Sequence, residues 1–393
     1  MTSYPLLRLL PGRDRRLKAG HPWAFSNEIA MTPEAKALPP GSVVRIEGDD
    51  GVRHGLFHFN PHSLIAGRLL DRDPAATVDA GWFAARLASA LRLRERLGVA
   101  RFCRLVHAEA DGLPGLVLDR YGDAVALQAN TAGMDRAMPD LVAALERVLD
   151  PRLIVARNDA SVRTLEGLRE EVTTLHGEGG EAEVEENGLR FRVDLAGGQK
   201  TGWFHDQREN RARVAAVAAG STVLDAFCHT GGFGLAAARA GATAVTLLDR
   251  SQHALDYALR SAAENGLSGI EAVHDDAIEA MDRMVAERRR FGVVIADPPA
   301  YAKARKDQPA ALRAYARLAR TAATLVEPGG FLFLASCSHH VAPGEFADAA
   351  VHGIWRARRE GRLLFQGGAG PDHPVHPALP ESAYLKAMLF ELR

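Results

Sequence analysis

The stretch Ser221 to Gly234, STVLDAFCHTGGFG, limits the fold of this chain more than any other. A short β-type run, Val223 and Leu224, ends at Asp225. A turn carrying Gly231, Gly232 and Gly234 then leads into an Ala-rich segment, Leu235 to Ala240, that reads as a helix. Strand, glycine turn and helix in that order belong to an open α/β sheet, where a ligand lies at the strand's carboxyl end and glycines let the backbone approach it. Val245 to Asp249 is a second apolar strand with an acidic end, and it ends 24 residues after Asp225. A carboxylate meets a ribose at an offset of roughly 20 residues in such folds. A ligand with a nucleoside part is therefore expected.

A dinucleotide site places its glycines directly after the strand and holds a pyrophosphate at the helix N-terminus. Here Asp225 comes first, and its carboxylate would repel phosphates while suiting a cationic group such as the amino end of S-adenosylmethionine. The run Val293 to Ala296 reads as a buried strand and is followed by Asp297-Pro298-Pro299-Ala300-Tyr301. That element resembles the loop after the fourth strand in class I nucleic-acid methyltransferases. Glycine turns alone are weak evidence, whereas the ordered set is specific.

A chain of 393 residues, 47% hydrophobic and 25% charged, has the length for two or three domains and the composition of an ordinary globular protein. No run approaches the roughly 18 apolar residues of a membrane span, and the first residues lack a signal-peptide core, so a cytoplasmic location is expected. Cys103, Cys228 and Cys337 make neither a disulfide framework nor a metal pattern, and no metal is expected. The net charge of −1 gives no global basic signature, so any nucleic-acid contact must rest on local patches.

Residues 1–72 show short β-type runs (Leu6 to Leu10, Ser42 to Glu47, Gly55 to Phe59, Leu64 to Leu69) separated by turn residues, and read as a small β-rich domain. Arg13, Arg15, Arg16 and Lys18 precede Gly20-His21-Pro22-Trp23-Ala24-Phe25. These cations and aromatics suit a phosphate backbone and a stacked base, or else form a solvated turn with Trp23 and Phe25 in the core. The stretch GHPWAFSNEI resembles the start of a PUA RNA-binding domain. Residues 73–176 read as a separate α+β domain. It opens with a helix from Ala80 to Leu97 whose apolar face carries Phe83, Leu87 and Leu91 and whose arginines lie opposite.

Residues 177–393 form the third expected domain, beginning with an acidic, glycine-rich stretch and a hairpin signal at Asn187-Gly188. The following Gly198 to Arg211 segment includes Phe204 and Gln207 and should border the ligand. From Ser221 onward strand and helix alternate in the doubly wound manner, with seven strands, and a Rossmann-like α/β fold is expected.

The strand ends carry the chemistry. Asp225 would hold an ammonium, Asp249 the ribose hydroxyls and Asp276 an adenine amino group, with Phe227, Gly231, Arg250 and Ala277 beside them. Each aspartate alone reads equally as a helix cap. Asp297 sits where an acceptor base should arrive, between prolines that stiffen the loop. Cys337, in Ser336-Cys337-Ser338-His339-His340, directly follows the fifth strand. A pyrimidine C5 is a poor nucleophile until a covalent adduct forms at C6, and a thiolate is the usual adduct-former. At a free thiol's pKa of about 8.5 a nearby cation would help, and His339 and His340 are the candidates in sequence. Cys228 is expected to pack against the ligand and Cys103 to lie in the core.

DAFCHTGGFG, DPPAY, SCSHH, the Asp372 to Val375 run and the Pro380 to Lys386 run together resemble the 23S ribosomal RNA (cytosine-5) methyltransferase I family, over nearly the whole chain. GQKTGWFHDQR resembles that family's KTGFFLDQR motif. The resemblance implies a PUA domain, a central α+β domain and a class I methyltransferase domain. It also implies S-adenosylmethionine as cofactor, Cys337 as nucleophile, Asp297 against the base, and 23S rRNA or a large-subunit particle as partner. RNA contacts are expected at Arg15, Arg16, Lys18 and Trp23, and a homodimer is left open. Pro298 and Pro299 stand where other cytosine-5 enzymes carry a second cysteine, so the base that removes the C5 proton is unassigned. Alternatives are a guanine or adenine nitrogen methyltransferase, a non-catalytic RNA-binding assembly protein, and a small-molecule methyltransferase.

Overall fold

The computed structural model describes residues 4–302 and 304–393. The chain divides into two compact units whose segments interleave: residues 4–182 with Asp194–Trp203 and Pro371–Pro380, and Glu183–Val193 with Phe204–Gly370 and Glu381–Arg393.

The first unit contains two five-stranded sheets. In the N-terminal sheet Leu6–Arg8 pairs in parallel with Ser42–Glu47, and Arg53–Phe59, Gly67–Asp71 and the short Trp23–Ala24 follow in antiparallel order. Its core is the apolar side of these strands, Leu7, Val44, Ile46, Phe57 and Phe59. The strand expected at Leu64 to Leu69 begins only at Gly67. A turn closed by the Ser63 N–H on the Asn60 carbonyl leaves Leu64 70% exposed.

The second sheet of this unit runs Glu171–His176, Leu153–Asn158, Ala124–Ala129, Leu116–Tyr121, Phe102–His107 in space. The helices Ala80–Arg96 and Met138–Leu149 close over it through Phe83, Leu87, Leu141 and Leu145. One strand without a local sequence signal and one changed expectation stand out here. Glu171–His176 is a strand although four of its six residues in succession are exposed, because backbone pairing to Leu153–Asn158 rather than apolar alternation holds it. Arg94 does not join a solvated arginine face: it is 0% exposed and forks onto Asp111 at 2.5 and 2.9 Å while donating to the Asp372 carbonyl. Bidentate pairing is what makes a buried guanidinium tolerable.

Residues 183–193, which begin the second unit, belong to a hairpin of Glu181–Glu186 against Leu189–Asp194 through the left-handed pair Asn187 and Gly188. Its main sheet has strands β1 (Thr222–Ala226), β2 (Ala244–Asp249), β3 (Ile270–His274), β4 (Phe291–Ala296), β5 (Val326–Ser336), β6 (Gly361–Gly367) and β7 (Lys386–Leu392). The spatial order is β3-β2-β1-β4-β5-β7-β6, and β7 runs antiparallel to both its neighbours. Alternate residues serve opposite faces. Leu224, Ala226, Val294, Ala296, Leu332 and Leu334 pack under the helices Ala277–Ala286, Gln308–Leu325 and Pro343–Arg356. Asp225 and Leu247 belong to the other face, toward the helix Gly232–Arg239. That helix starts at Gly232, three residues before the expected Leu235, because Gly231 at φ 76° ends the turn and caps it.

Candidate active site

Parallel register brings Asp225, Asp249 and Asp297 to one edge of the sheet: Ala226 lies level with Leu248 on one side and Ala296 on the other. The loop after β1 folds tightly over this edge. Phe227 (φ 62°) and His229 (φ 50°) both adopt the left-handed region, a costly conformation for bulky side chains that the surrounding contacts must hold. Gly234 has no space for a side chain, since a Cβ there would meet Leu247 Cδ2 at 2.4 Å and Asp225 Oδ2 at 3.2 Å.

That close approach lets the Gly234 N–H donate to Asp225 Oδ2 at 2.7 Å. The other oxygen, Oδ1, is buried without a partner. Burial pushes the Asp225 carboxyl up to about 7, against the Gly234 N–H, with Asp297 and Asp249 adding repulsion and Arg211 attraction. A buried carboxyl with one unsatisfied oxygen fits a cationic or hydrogen-donating ligand group. The ammonium of S-adenosylmethionine meets that requirement.

Asp249 accepts the His229 N–H on Oδ2 and the Ser251 N–H on Oδ1, each at 2.9 Å, and so ties the loop after β1 to the start of the next helix. Asp276 is exposed and caps Ala277–Ala286 through the Ile278 and Glu279 N–H groups. Arg250 is exposed, Phe227 is half-buried against the sheet core, and Gly231 and Ala277 are buried. The Phe204 ring meets the His229 ring edge-on at 5.2 Å. Gln207, 2% exposed, donates to Asp297 Oδ2 at 2.8 Å and accepts from Asn210 at 2.6 Å. The segment before the sheet therefore reaches the loop after β4 through a defined hydrogen bond.

Cys337 is half-buried between two fully buried serines. The Ser336 hydroxyl donates to the Tyr315 hydroxyl at 2.9 Å, the tyrosine and Ser338 hydroxyls are 2.8 Å apart, and the Ala302 N–H reaches Ser338 Oγ at 3.2 Å. These bonds fix the backbone on either side of the thiol. His339 and His340 are exposed, and the His339 ring lies 5.2 Å from that of Tyr384. The cation beside Cys337 is instead Lys386, 5% exposed, which antiparallel pairing sets opposite Ser336. Burial lowers the Lys386 ammonium to about 8, and Cys337 raises it. Tyr315 and Lys386 carried no site signal of their own, since each becomes informative only when its distant partner is known. Cys228 is 7% exposed, and burial, then Asp225 and Asp249, push its thiol well up. Cys103 is 0% exposed in the central sheet.

The four residues expected to meet RNA lie in the first unit. Arg15 is exposed. Arg16 pairs with Glu28 at 3.3 Å and covers the Phe25 ring at 4.7 Å. Lys18 is shared by Asp14 and Asp50 at 2.5 and 2.8 Å. Trp23 is half-buried, donates its indole N–H to Glu109 at 2.7 Å and lies under Arg68. It is thus neither a free stacking platform nor a core residue.

The profile of S-adenosylmethionine-dependent methyltransferases matches residues 166–391, and that of PUA-like domains matches residues 7–72. The chain is 35% identical over 391 residues to Ribosomal RNA large subunit methyltransferase I of Shewanella denitrificans, covering 98% of each chain. It is 36% identical to Ribosomal RNA large subunit methyltransferase of Deinococcus radiodurans, over 100% of this chain and 98% of the relative. Among solved structures, a Streptococcus mutans chain described as a SAM-dependent methyltransferase superposes with a TM-score of 0.80 at 20% identity, covering 98% of this chain and all of the other, which shows a shared fold. With a sheet of methyltransferase order, a buried carboxylate oxygen left unpaired at its first strand and relatives this similar along their full length, the chain belongs to the ribosomal RNA large subunit methyltransferase I family of S-adenosylmethionine-dependent methyltransferases.

Proposed function

We propose that the enzyme methylates C5 of a cytidine in 23S rRNA, free or within a large-subunit particle, through a covalent bond between Cys337 and C6. One observation carries the reading. A half-exposed thiol follows β5 and a carboxylate follows β4, and the two strands are parallel neighbours with Ala296 level with Leu334. Both groups therefore open on the edge that also carries Asp225. A nitrogen methyltransferase has no use for that thiol.

In this mechanism the Cys337 thiolate adds to C6 and the displaced electron pair makes C5 nucleophilic. S-adenosylmethionine, when bound, would supply an electrophilic methyl carbon to C5, the S–CH3 bonding pair remaining on the sulfur of S-adenosylhomocysteine. Loss of the C5 proton to a base then expels the thiolate and restores the ring. Gln207, by holding Asp297 Oδ2, fixes the orientation of the carboxylate that would face the cytosine edge. We assign Asp225 to the cofactor ammonium, Asp249 to the ribose and Asp276 to the adenine. Phe204, Gln207, Phe227, Gly231, Arg250 and Ala277 complete the pocket. Arg15 and Arg16 carry the electrostatic contact to RNA more than Lys18, which two carboxylates already neutralise. The division into domains at residues 72 and 176 is part of the same proposal.

The test is transfer of labelled methyl from S-adenosylmethionine into unmodified 23S rRNA, with nucleosides identified by mass spectrometry. Label in 5-methylcytidine is the expected result. Label in a methylated purine would overturn the covalent mechanism, and no label in RNA or in particles would point to a binding protein.

A further inference from the structure

Lys386 is a buried ammonium with no carboxylate in ion-pair reach among the described residues. Its Nζ donates to the Ser338 carbonyl at 2.5 Å and to the Tyr384 carbonyl at 2.8 Å. Ser338 is the residue after Cys337, and Ser336, the residue before it, pairs across the sheet with Lys386 itself. The lysine is thus held to the backbone on both sides of the thiol, and its third N–H has no acceptor among the described residues. An ammonium removed from water needs a compensating charge. The group next to it that can supply one is Cys337.

Among the described residues, Tyr315, Tyr301, Asp297, Tyr384 and His339 also lie in this region, and their contacts differ from those of Lys386. Tyr315, from the helix Gln308–Leu325, has its hydroxyl engaged by Ser336 and Ser338 and its ionisation pushed up by burial. Tyr301, its ring tilted against that of Tyr315 with centroids 4.8 Å apart, is pushed up in the same way. Asp297, after β4, is a carboxyl and offers no cation, and Tyr384 and the exposed His339 contact each other.

We propose that the Lys386 ammonium is the counter-charge that keeps Cys337 ionised, a positioning residue for the nucleophile of the covalent mechanism proposed above. The pair forms when β7 inserts next to β5, so the nucleophile is armed only in the folded sheet.

The experiment follows alkylation of Cys337 by iodoacetamide from about pH 5.5 to 9.5 with peptide mapping, in the full chain and in Lys386→Gln, Lys386→Met and Lys386→Arg. Gln retains an N–H donor for the carbonyls without the charge, and thermal unfolding checks that each variant is folded. Cys103 and Cys228, at 0% and 7% exposure, act as internal unreactive controls. In the native chain the midpoint should lie below the free-thiol value of about 8.5. Gln and Met should raise it by about one unit or more, slowing alkylation at pH 7 about tenfold, and Arg should keep it low. A midpoint unchanged in Lys386→Gln overturns the proposal, and if Met fails to fold, Gln alone decides. The readout needs no RNA. A methylated purine would sink the cytosine-5 reading without moving this midpoint, and an unmoved midpoint would sink the lysine's role even where 5-methylcytidine forms.

Discussion

Two thiols sit at the carboxyl edge of the same sheet, and their surroundings make them opposites. Cys228 lies just past β1 at 7% exposure, with the Asp225 and Asp249 carboxylates pushing its ionisation further up. Cys337 lies just past β5, half-exposed, with an ammonium beside it. Position at a strand end is common to both, so it does not make a nucleophile. Access and the sign of the nearest charge do. Burial first, and then the Asp225 and Asp249 carboxylates that are proposed to face the cofactor, push the Cys228 thiol toward a neutral packing group.

The contrast breaks most directly at Cys337. Cys337→Ala should lower methyl transfer by at least about a thousand-fold while leaving cofactor binding, measured by calorimetry, intact. Activity within tenfold of the native enzyme would remove the thiol from the mechanism. Asp225→Asn should weaken S-adenosylmethionine binding by about ten- to a hundred-fold.

The same carboxyl predicts a pH dependence. Its folded-state value, up at about 7, exceeds the ordinary value of about 4. Its neutral form therefore favours folding at low pH, and that stability is lost as pH rises from about 4 to about 7. In the ligand-free protein the thermal midpoint of Asp225→Asn should gain on the native chain across that window and level off above it. Affinity of the native chain for the cationic cofactor should rise with pH over the same range, and that of Asp225→Asn should stay flat.

Gly234→Ala drives a Cβ into Leu247 at 2.4 Å and should cost about 1–3 kcal/mol in denaturant unfolding, with weaker cofactor binding because the loop must shift away from Asp225. The smallest effect belongs to the other thiol. Cys228→Ala should leave turnover within about threefold and cost about 1 kcal/mol of stability. A loss as large as that of Cys337→Ala would collapse the distinction between the two cysteines.

The strand at 42–47 was readable to the residue, because apolar runs bounded by turn residues are local signals. The aspartates at the strand ends were readable for the same reason. The strand Glu171–His176 was not, since exposed residues carry no periodic signal and only its neighbour makes it a strand. Nor was the burial of Arg94, which depends on Asp111 and on a carbonyl 278 residues away. His339 and His340 looked like the thiol's helpers because they are adjacent in the chain, yet both are exposed.

The sequence by itself determined the alternation of strand and helix, the glycine turn and the order of three carboxylates and a thiol along it. These depend on backbone preferences and side-chain periods that act over a few residues. The tertiary structure alone decided which groups are buried and which charges they face. Ionisation depends on exclusion of water and on charges close in space, and the strand order that inserts β7 between β5 and β6 is what brings Lys386 to Cys337 and leaves Cys228 among carboxylates.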